Sequence, residues 1–327
     1  MPTDVTDSFG RRIDYLRISV TDRCNFRCTY CMPAEGVPLL PHRDVLTFDE
    51  ITRIARLFLR LGGRKIKLTG GEPLLRKDIV TLVAQLAALE GLQDLGVTTN
   101  GFYLQELAGP LRTAGLQRIN VSLDSMNAAR FAKLTHSLSW NRVWAGIQEA
   151  IRVGLRLKIN VVTMKGITPD ELAEFGRLVL EHPIEVRFIE FMPLCGTGWH
   201  PEWMIPLHTI EEYFHEHYAL QAVPRGAATA KTYQLKNGRG RVGFIASMTE
   251  PFCAQCSRLR LTADGQLRAC LFSNTTTDLK SAVRSGASDD DITAILGATI
   301  WNKPRGHGVD PHIHSAMDLP KIRAFGG

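Results

Sequence analysis

Six short runs of β-forming residues, each followed by a helical pattern, set the first constraint on this chain. They are YLRISV (15–20), KIKLT (65–69), LGVTT (95–99), RINVSL (118–123), LKINVVT (157–163) and EVRFIEF (185–191). Between them lie amphipathic stretches such as TFDEITRIARLFLRLG and DIVTLVAQLAALEG; the first opens with Thr47 and Glu50 at capping-box spacing. Strands that alternate with helices in this way lie side by side in a parallel sheet. Six units predict an α/β fold, a partial (β/α)6 TIM-like barrel short of closure, with an open sheet as the alternative. Ligands of such folds collect at the carboxyl ends of the strands, so the segments after the runs carry most of the information. Cysteines follow the first run, GGEP the second and TN the third; SLD ends the fourth, and the sixth runs into EFMP.

Several runs also carry cations at alternate positions: Arg17, Lys65 with Lys67, Arg156 with Lys158, and Arg187. A period of two puts each pair on one face, with apolar neighbours such as Ile66 and Leu68 on the other. Either this face is a solvated edge or the barrel has a basic lining, which would suit the net charge of +6 and an anionic ligand.

From about residue 231 the pattern changes. KTYQLKNGRGRVGFIA reads as two strands joined at Asn237-Gly238, and RLRLTADGQLRACLF as a hairpin turning at Asp264-Gly265. The expected organisation is a barrel over 1–230, whose segment 195–230 is a connector with weak signals, and a carboxy-terminal β-containing element over 231–327. The stretch TPDELAEFGRLVLEH reads as the last barrel helix. No run of 18 apolar residues occurs, and MPTDVTDSFGRR lacks a signal-peptide core, so no membrane association and a cytoplasmic location are expected.

In a reducing compartment clustered thiols point to metal binding or catalysis rather than to disulfides. Of the seven cysteines, Cys24, Cys28 and Cys31 form C-x3-C-x2-C just after the first run, and Cys253, Cys256 and Cys270 form C-x2-C-x13-C across the second hairpin. That hairpin is expected to bring Cys270 back toward Leu259, within reach of Cys256. Cys195 stands alone and reads as a partly buried apolar residue. Three thiolates can hold three irons of a cubane cluster and leave the fourth open to a ligand. Structural zinc is the alternative for both sets, with a fourth ligand elsewhere, such as His42 for the first. The arginines Arg258 and Arg260 share a strand face beside the second set, where they suit phosphate binding or an exposed face. The histidines of HGVDPHIH read as surface or local structural groups.

With Tyr30 just before the third cysteine and GGEP following, the first motif resembles the radical S-adenosylmethionine superfamily. DSFGRRIDYLRISVTDRCNFRCTYCMP, KIKLTGGEPLLRKDI, VTTNG, RINVSLDS, EVRFIEFMP, CSRLRLTADGQLRACLF and the terminal FGG, in that order, resemble the GTP 3′,8-cyclase family, which opens molybdenum cofactor biosynthesis. This likeness implies a partial barrel whose open side is closed by the carboxy-terminal element, and two [4Fe-4S] clusters, one held by Cys24, Cys28 and Cys31 and the other, in that element, by Cys253, Cys256 and Cys270. It implies S-adenosyl-L-methionine at Tyr30, Gly71, Ser122 and Met192, and GTP at Arg17, Lys67, Thr98, Lys158, Arg258, Leu259 and Arg260. Catalytic roles would fall on Arg17, Arg258 and Arg260 and on the terminal Gly326-Gly327. The implied reaction is hydrogen abstraction from the ribose C3′ by a 5′-deoxyadenosyl radical, attack on guanine C8 and reduction to 3′,8-cyclo-7,8-dihydro-GTP. The implied partners are a low-potential electron donor such as flavodoxin or ferredoxin and a next enzyme that receives the cyclic product; a homodimer stays open. Two other readings also stand at this point: a radical S-adenosylmethionine enzyme with an auxiliary cluster acting on peptide or RNA, and a zinc-stabilised nucleic-acid-binding protein.

Overall fold

The structure, a computed structural model, describes residues 4–33, 36–194, 199–224 and 228–309. Cys195, His312, His314, Gly326 and Gly327 lie outside the described residues. The six runs form β1 (Tyr15–Ser19), β2 (Lys65–Thr69), β3 (Asp94–Thr99), β4 (Arg118–Ser122), β5 (Arg156–Thr163) and β6 (Glu185–Glu190). Between them stand α1 (Phe48–Arg60), α2 (Ile79–Ala87), α3 (Leu104–Thr113), α4 (Ala128–Thr135), α5 (Trp140–Arg152) and α6 (Pro169–Glu181). The capping box at Thr47 forms: its hydroxyl accepts from Glu50 N at 3.2 Å, and the Glu50 carboxylate accepts from Thr47 N at 2.7 Å. In α1 the residues Ile51, Ile54, Ala55 and Phe58 are fully buried, at the i, i+3, i+4, i+7 spacing of a core-facing stripe.

β1 to β6 pair in sequence and in parallel. Among the described residues the rest of the chain adds no separate sheet; it extends both edges of this one. The connector contains α7 (Leu207–His217) and β7 (Leu220–Val223), elements that its weak sequence signals did not reveal. Leu207, Ile210 and Phe214 form the buried stripe of α7, and the Phe214 ring lies 5.3 Å from Phe188 and 6.0 Å from Phe244. The hairpin read at Asn237-Gly238 is β8 (Lys231–Leu235) with β9 (Arg241–Ile245), and β9 pairs in parallel with β6. The hairpin at Asp264-Gly265 is β10 (Arg258–Leu261) with β11 (Gln266–Arg268), and β10 pairs in parallel with β1. β12 (Thr277–Asp278), α8 (Leu279–Arg284) and α9 (Asp289–Trp301) follow. The sheet order is β12-β11-β10-β1-β2-β3-β4-β5-β6-β9-β8-β7, so eight neighbouring strands run parallel and antiparallel hairpins form the two edges. The result is a partial barrel whose strands outnumber the six units visible in the sequence.

Period two separates the two faces of the sheet. Leu16, Ile18, Ile66, Leu68, Val97, Ile119 and Val121 are buried in the apolar core on the helical side, while the intervening positions face a cavity. At the end of β6, Glu190 is fully buried and accepts from Leu207 N, Met248 N, Thr249 N and the Thr249 hydroxyl. One carboxylate therefore ties the sixth strand to the connector and to the segment after β9. Glu190→Ala leaves these buried donors without an acceptor and is expected to cost about 3 kcal/mol, with Glu190→Gln milder. A fall in the urea midpoint at unchanged slope is the measurement; an unchanged midpoint for the alanine variant would refute the clamp.

Candidate active site

The register of the parallel strands lays the inward side chains out in rows. One row runs Arg268, Arg260, Arg17, Lys67, Gly96, Arg118 and Arg156 across seven strands. The adjacent rows hold Arg258, Tyr15, Lys65 and Asp94 on one side and Thr98, Asn120, Lys158 and Glu185 on the other. Two glycines make room for long neighbours. A Cβ on Gly96 would stand 3.0 Å from Arg118 Cγ, and one on Gly243 would stand 3.3 Å from Arg187 Cγ.

These rows line a cavity of about 590 Å³, whose walls carry eleven lysines and arginines against two carboxylates, Asp94 and Glu185. Some cations have local partners: Arg118 Nε donates to Asp94 at 2.6 Å, Lys158 Nζ to Glu185 at 2.8 Å, and Arg187 to Asn160 Oδ1 at 2.6 Å. Others do not. Lys67, 3% exposed, is held well below the usual lysine range by burial and then by Arg118, Arg187, Arg17 and Lys158. Burial, followed by Arg17 and Arg258, lowers Arg260 in the same way. Burial pulls Arg17 down to about 10, against the opposing influence of Tyr15. Thr98 Oγ1, Asn120 Oδ1, Arg258 Nε and Arg260 Nη1 are buried polar atoms without a protein partner. A wall of this kind is satisfied only by a polar, anionic ligand.

The two thiol sets stand at opposite ends of the β1–β10 pair. Cys24 follows the carboxyl end of β1, whereas Cys256 precedes Arg258, which pairs with the first residue of β1. The four strand steps from Tyr15 to Ser19 alone span about 13 Å. Cys253, Cys256 and Cys270 line the cavity itself. The pairing of Arg260 with Arg268, continued outward, sets Cys270 opposite Arg258 rather than Leu259, one residue from the sequence expectation. The Leu259 side chain is fully buried in the core on the other face. Burial pushes the Cys256 thiol up, but Arg258, Lys303 and the Arg258 N–H outweigh it and bring the thiol down to about 6.

At the other end the balance reverses. Burial raises the Cys24 thiol, and it raises Cys28 well above the usual range with help from Cys31, Asp124 and Cys24. Cys24 Sγ accepts from Phe26 N at 3.4 Å and from Asn100 Nδ2 at 3.9 Å, the kind of N–H contact that supports a thiolate ligand. Among the described residues no three His, Cys, Asp or Glu groups converge tightly enough to hold a single metal ion. His42 is exposed and lines a separate basic surface pocket with Arg23, Arg43 and Lys77.

Of the residues expected at the first site, Tyr30 lies within the thiol loop and Gly71 packs against the backbone that leads into it. Tyr30 donates to Asp124 Oδ2 at 2.6 Å, and Asp124, raised to about 6 by burial, also accepts from Val162 N. Ser122 closes β4, and Met192 lines the cavity just beyond β6. Gly71 N donates to Thr21 O at 2.8 Å, and a Cβ on Gly71 would lie 2.2 Å from Arg23 O. Glu72 of the same GGEP turn is buried, accepts from Leu74 N, Thr99 Oγ1 and Asn100 N, and is raised to about 7 by burial. Arg118, Asn120, Asn160 and Tyr15 belong to the cavity, although sequence reasoning did not select them. The available signal was the alternation of Arg118, Asn120 and Ser122 with Ile119 and Val121.

Comparisons with known proteins identify the chain's family. The family description "Radical SAM superfamily" matches residues 18–179, and "Molybdenum Cofactor Synthesis C" matches residues 184–309. The chain is 44% identical to a GTP 3′,8-cyclase of Moorella thermoacetica, covering 93% of this chain and 95% of that one. It is 46% identical to the GTP 3′,8-cyclase of Thermodesulfovibrio yellowstonii, covering 92% and 94%. Human Molybdenum cofactor biosynthesis protein 1 is 46% identical over 97% of this chain, which spans 50% of the human protein. The Drosophila melanogaster protein of that name is likewise 46% identical, and the match spans 56% of it, so the chain covers about half the length of these animal relatives. Among solved structures, Streptococcus suis SuiB shares the fold, with a TM-score of 0.59 and 13% identity over 96% of this chain and 72% of that one.

Gly71→Ala forces its new methyl group against the backbone just before Cys24. The variant is expected to lose about four of the irons that the reconstituted protein binds while keeping those of the second set. Iron and sulfide analysis checks this; full iron loading would show that the turn yields.

Proposed function

Because the chain belongs to the GTP 3′,8-cyclase family of radical S-adenosylmethionine enzymes, we propose that it converts GTP to (8S)-3′,8-cyclo-7,8-dihydroguanosine 5′-triphosphate in molybdenum cofactor biosynthesis. The observation that carries the reading is the cavity between the two thiol sets: a strongly cationic wall, with buried unpartnered polar atoms at Thr98, Asn120, Arg258 and Arg260.

The donor sets fit the implied cofactors. Each supplies three sulfurs, and three thiolates leave one iron of a [4Fe-4S] cluster open to a ligand. Cys24, Cys28 and Cys31 would hold the cluster that binds S-adenosyl-L-methionine, with Tyr30, Gly71, Ser122 and Met192 around the cosubstrate. Reductively cleaved there, S-adenosyl-L-methionine supplies a 5′-deoxyadenosyl radical, the hydrogen abstractor that this chemistry requires. Cys253, Cys256 and Cys270 would hold the second cluster, close to the base of the substrate.

The chain's own contribution is to bind, to orient and to exclude water. Arg17, Lys67 and Lys158, with Arg258 and Arg260 from the added strand, would surround the triphosphate with donors already held in the buried wall. Thr98 and Asn120 offer buried acceptors to the sugar or the base. A substrate held at both ends keeps C3′ and C8 in near-attack geometry while the walls exclude stray hydrogen donors. For Gly326 and Gly327 the proposed catalytic role rests on the family resemblance alone. A low-potential donor such as flavodoxin or ferredoxin would deliver the electrons, and a following enzyme would take up the unstable cyclic nucleotide. No helix among the described residues is long and apolar enough to cross a membrane.

The deciding experiment is anaerobic incubation of the reconstituted protein with GTP, S-adenosyl-L-methionine and dithionite, followed by product analysis. The 3′,8-cyclic nucleotide is expected; 5′-deoxyadenosine without any GTP-derived product would refute the cyclase reading and leave another radical enzyme. Arg258→Ala should weaken GTP binding about tenfold or more and leave S-adenosyl-L-methionine binding intact, as two separate titrations can show. Lys67 yields a prediction about protons. Its pKa is depressed in the ligand-free fold, so its favourable contribution to stability exists at high pH and is lost as pH falls through the lowered value. A bound triphosphate raises that pKa again, so GTP binding should take up protons. Calorimetry in buffers of different ionisation enthalpy measures the uptake, and Lys67→Met should reduce it.

A further inference from the structure

Lys303 lies just beyond α9 and is 3% exposed. Its ammonium donates to Arg258 O at 2.9 Å and also to Ala269 O. These two carbonyls belong to the two arms of the second thiol set: Arg258 follows Cys256 by two residues, and Ala269 immediately precedes Cys270. No carboxylate among the described residues pairs with Lys303; burial lowers its pKa, the neighbouring Cys256 and Cys270 sulfurs oppose that shift, and Arg258 and Arg11 add to it. A buried ammonium is stabilised only where an anion compensates it, and sulfurs that ligate a cluster would supply that negative charge. Its backbone is anchored as well. Lys303 N donates to Ile300 O, and Arg11 donates to Cys253 O at 2.8 Å and to Pro304 O at 2.7 Å, which binds the same loop and the same segment together.

We propose that Lys303 is a positioning residue of the second thiol set, a fixed buried cation that both holds the Cys256 and Cys270 arms in register and favours the reduced form of the group they bind. The inference rests on the reading that this set holds an iron-sulfur cluster. Reduction by dithionite adds one electron and no proton, so the group becomes one charge more negative, and a nearby cation stabilises that state. Lys303 reaches no substrate in this account; it acts through the sulfurs.

Two substitutions separate the charge from the hydrogen bonds. Lys303→Gln keeps a donor for the carbonyls and removes the charge; Lys303→Arg keeps the charge. The measurement is an EPR-monitored redox titration of the protein with both clusters, following the signal that S-adenosyl-L-methionine leaves unperturbed. Lys303→Gln is expected to lower the reduced-to-oxidised ratio at fixed potential at least tenfold, a shift of about 59 mV to more negative potential for a one-electron couple. Lys303→Arg should stay near the unaltered value, and the first cluster should not move in either variant. An unchanged potential in a fully loaded Lys303→Gln protein would overturn the proposal. If that variant instead loses the iron of the second set, retention of iron and potential by Lys303→Arg supports the proposal, and equal loss in Lys303→Arg overturns it. The underlying reading fails in a different way: unaltered protein that binds about four irons rather than about eight would remove the second cluster itself.

Discussion

The structure depends on how it manages like charge at close range. Arg260, Arg17, Lys67 and Arg118 point inward within one row, and too few carboxylates share the cavity to balance them. The sheet accommodates this because the other face of each strand is apolar and closely packed: Leu16, Ile18, Ile66 and Leu68 hold the backbone against the helices while their neighbours repel one another. Lys67 records the strain most directly, since each of its electrostatic neighbours is a cation. Stability given up along such a wall is a trade that functional sites make repeatedly.

The two thiol sets receive opposite treatment from the same fold. Near Cys24 and Cys28 the surroundings disfavour thiolate, so ionisation there depends on the iron. Near Cys256 the cations Arg258 and Lys303 have already lowered the cost. One chain therefore surrounds its two thiol sets differently, with burial dominating beyond the carboxyl end of its first strand and cations dominating at the amino end. That asymmetry suits a cofactor that is cleaved at one end and a substrate that is held at the other.

Much of this was legible from local sequence. The six strands, the Thr47 capping box, both hairpins and the alternation of cations depend on periods of two and 3.6 and on turn residues, and these survived folding. What escaped detection depends on partners distant in sequence. The stripe Leu207, Ile210 and Phe214 gains meaning only against Phe188 and Phe244, and Arg118 becomes a cavity residue only when Gly96 lies beside it. The one-residue error at Cys270 arose because hairpin register follows from the turn's geometry, which composition does not determine. Likewise, the sequence could not show that β9 and β10 pair in parallel with β6 and β1, because those contacts span dozens to hundreds of residues.

The last of these pairings has a consequence in time. β1 emerges early in synthesis, yet its neighbour on one side, β10, begins 239 residues after Ser19. At about 5–20 residues per second, that edge waits roughly 12–50 s for its partner. Throughout that interval a strand rich in β-formers, with three thiols just beyond it, presents unpaired backbone to the cell. Anything that occupies the edge meanwhile, whether a chaperone, a cluster-delivery factor or another nascent chain, acts before the barrel can shut it out.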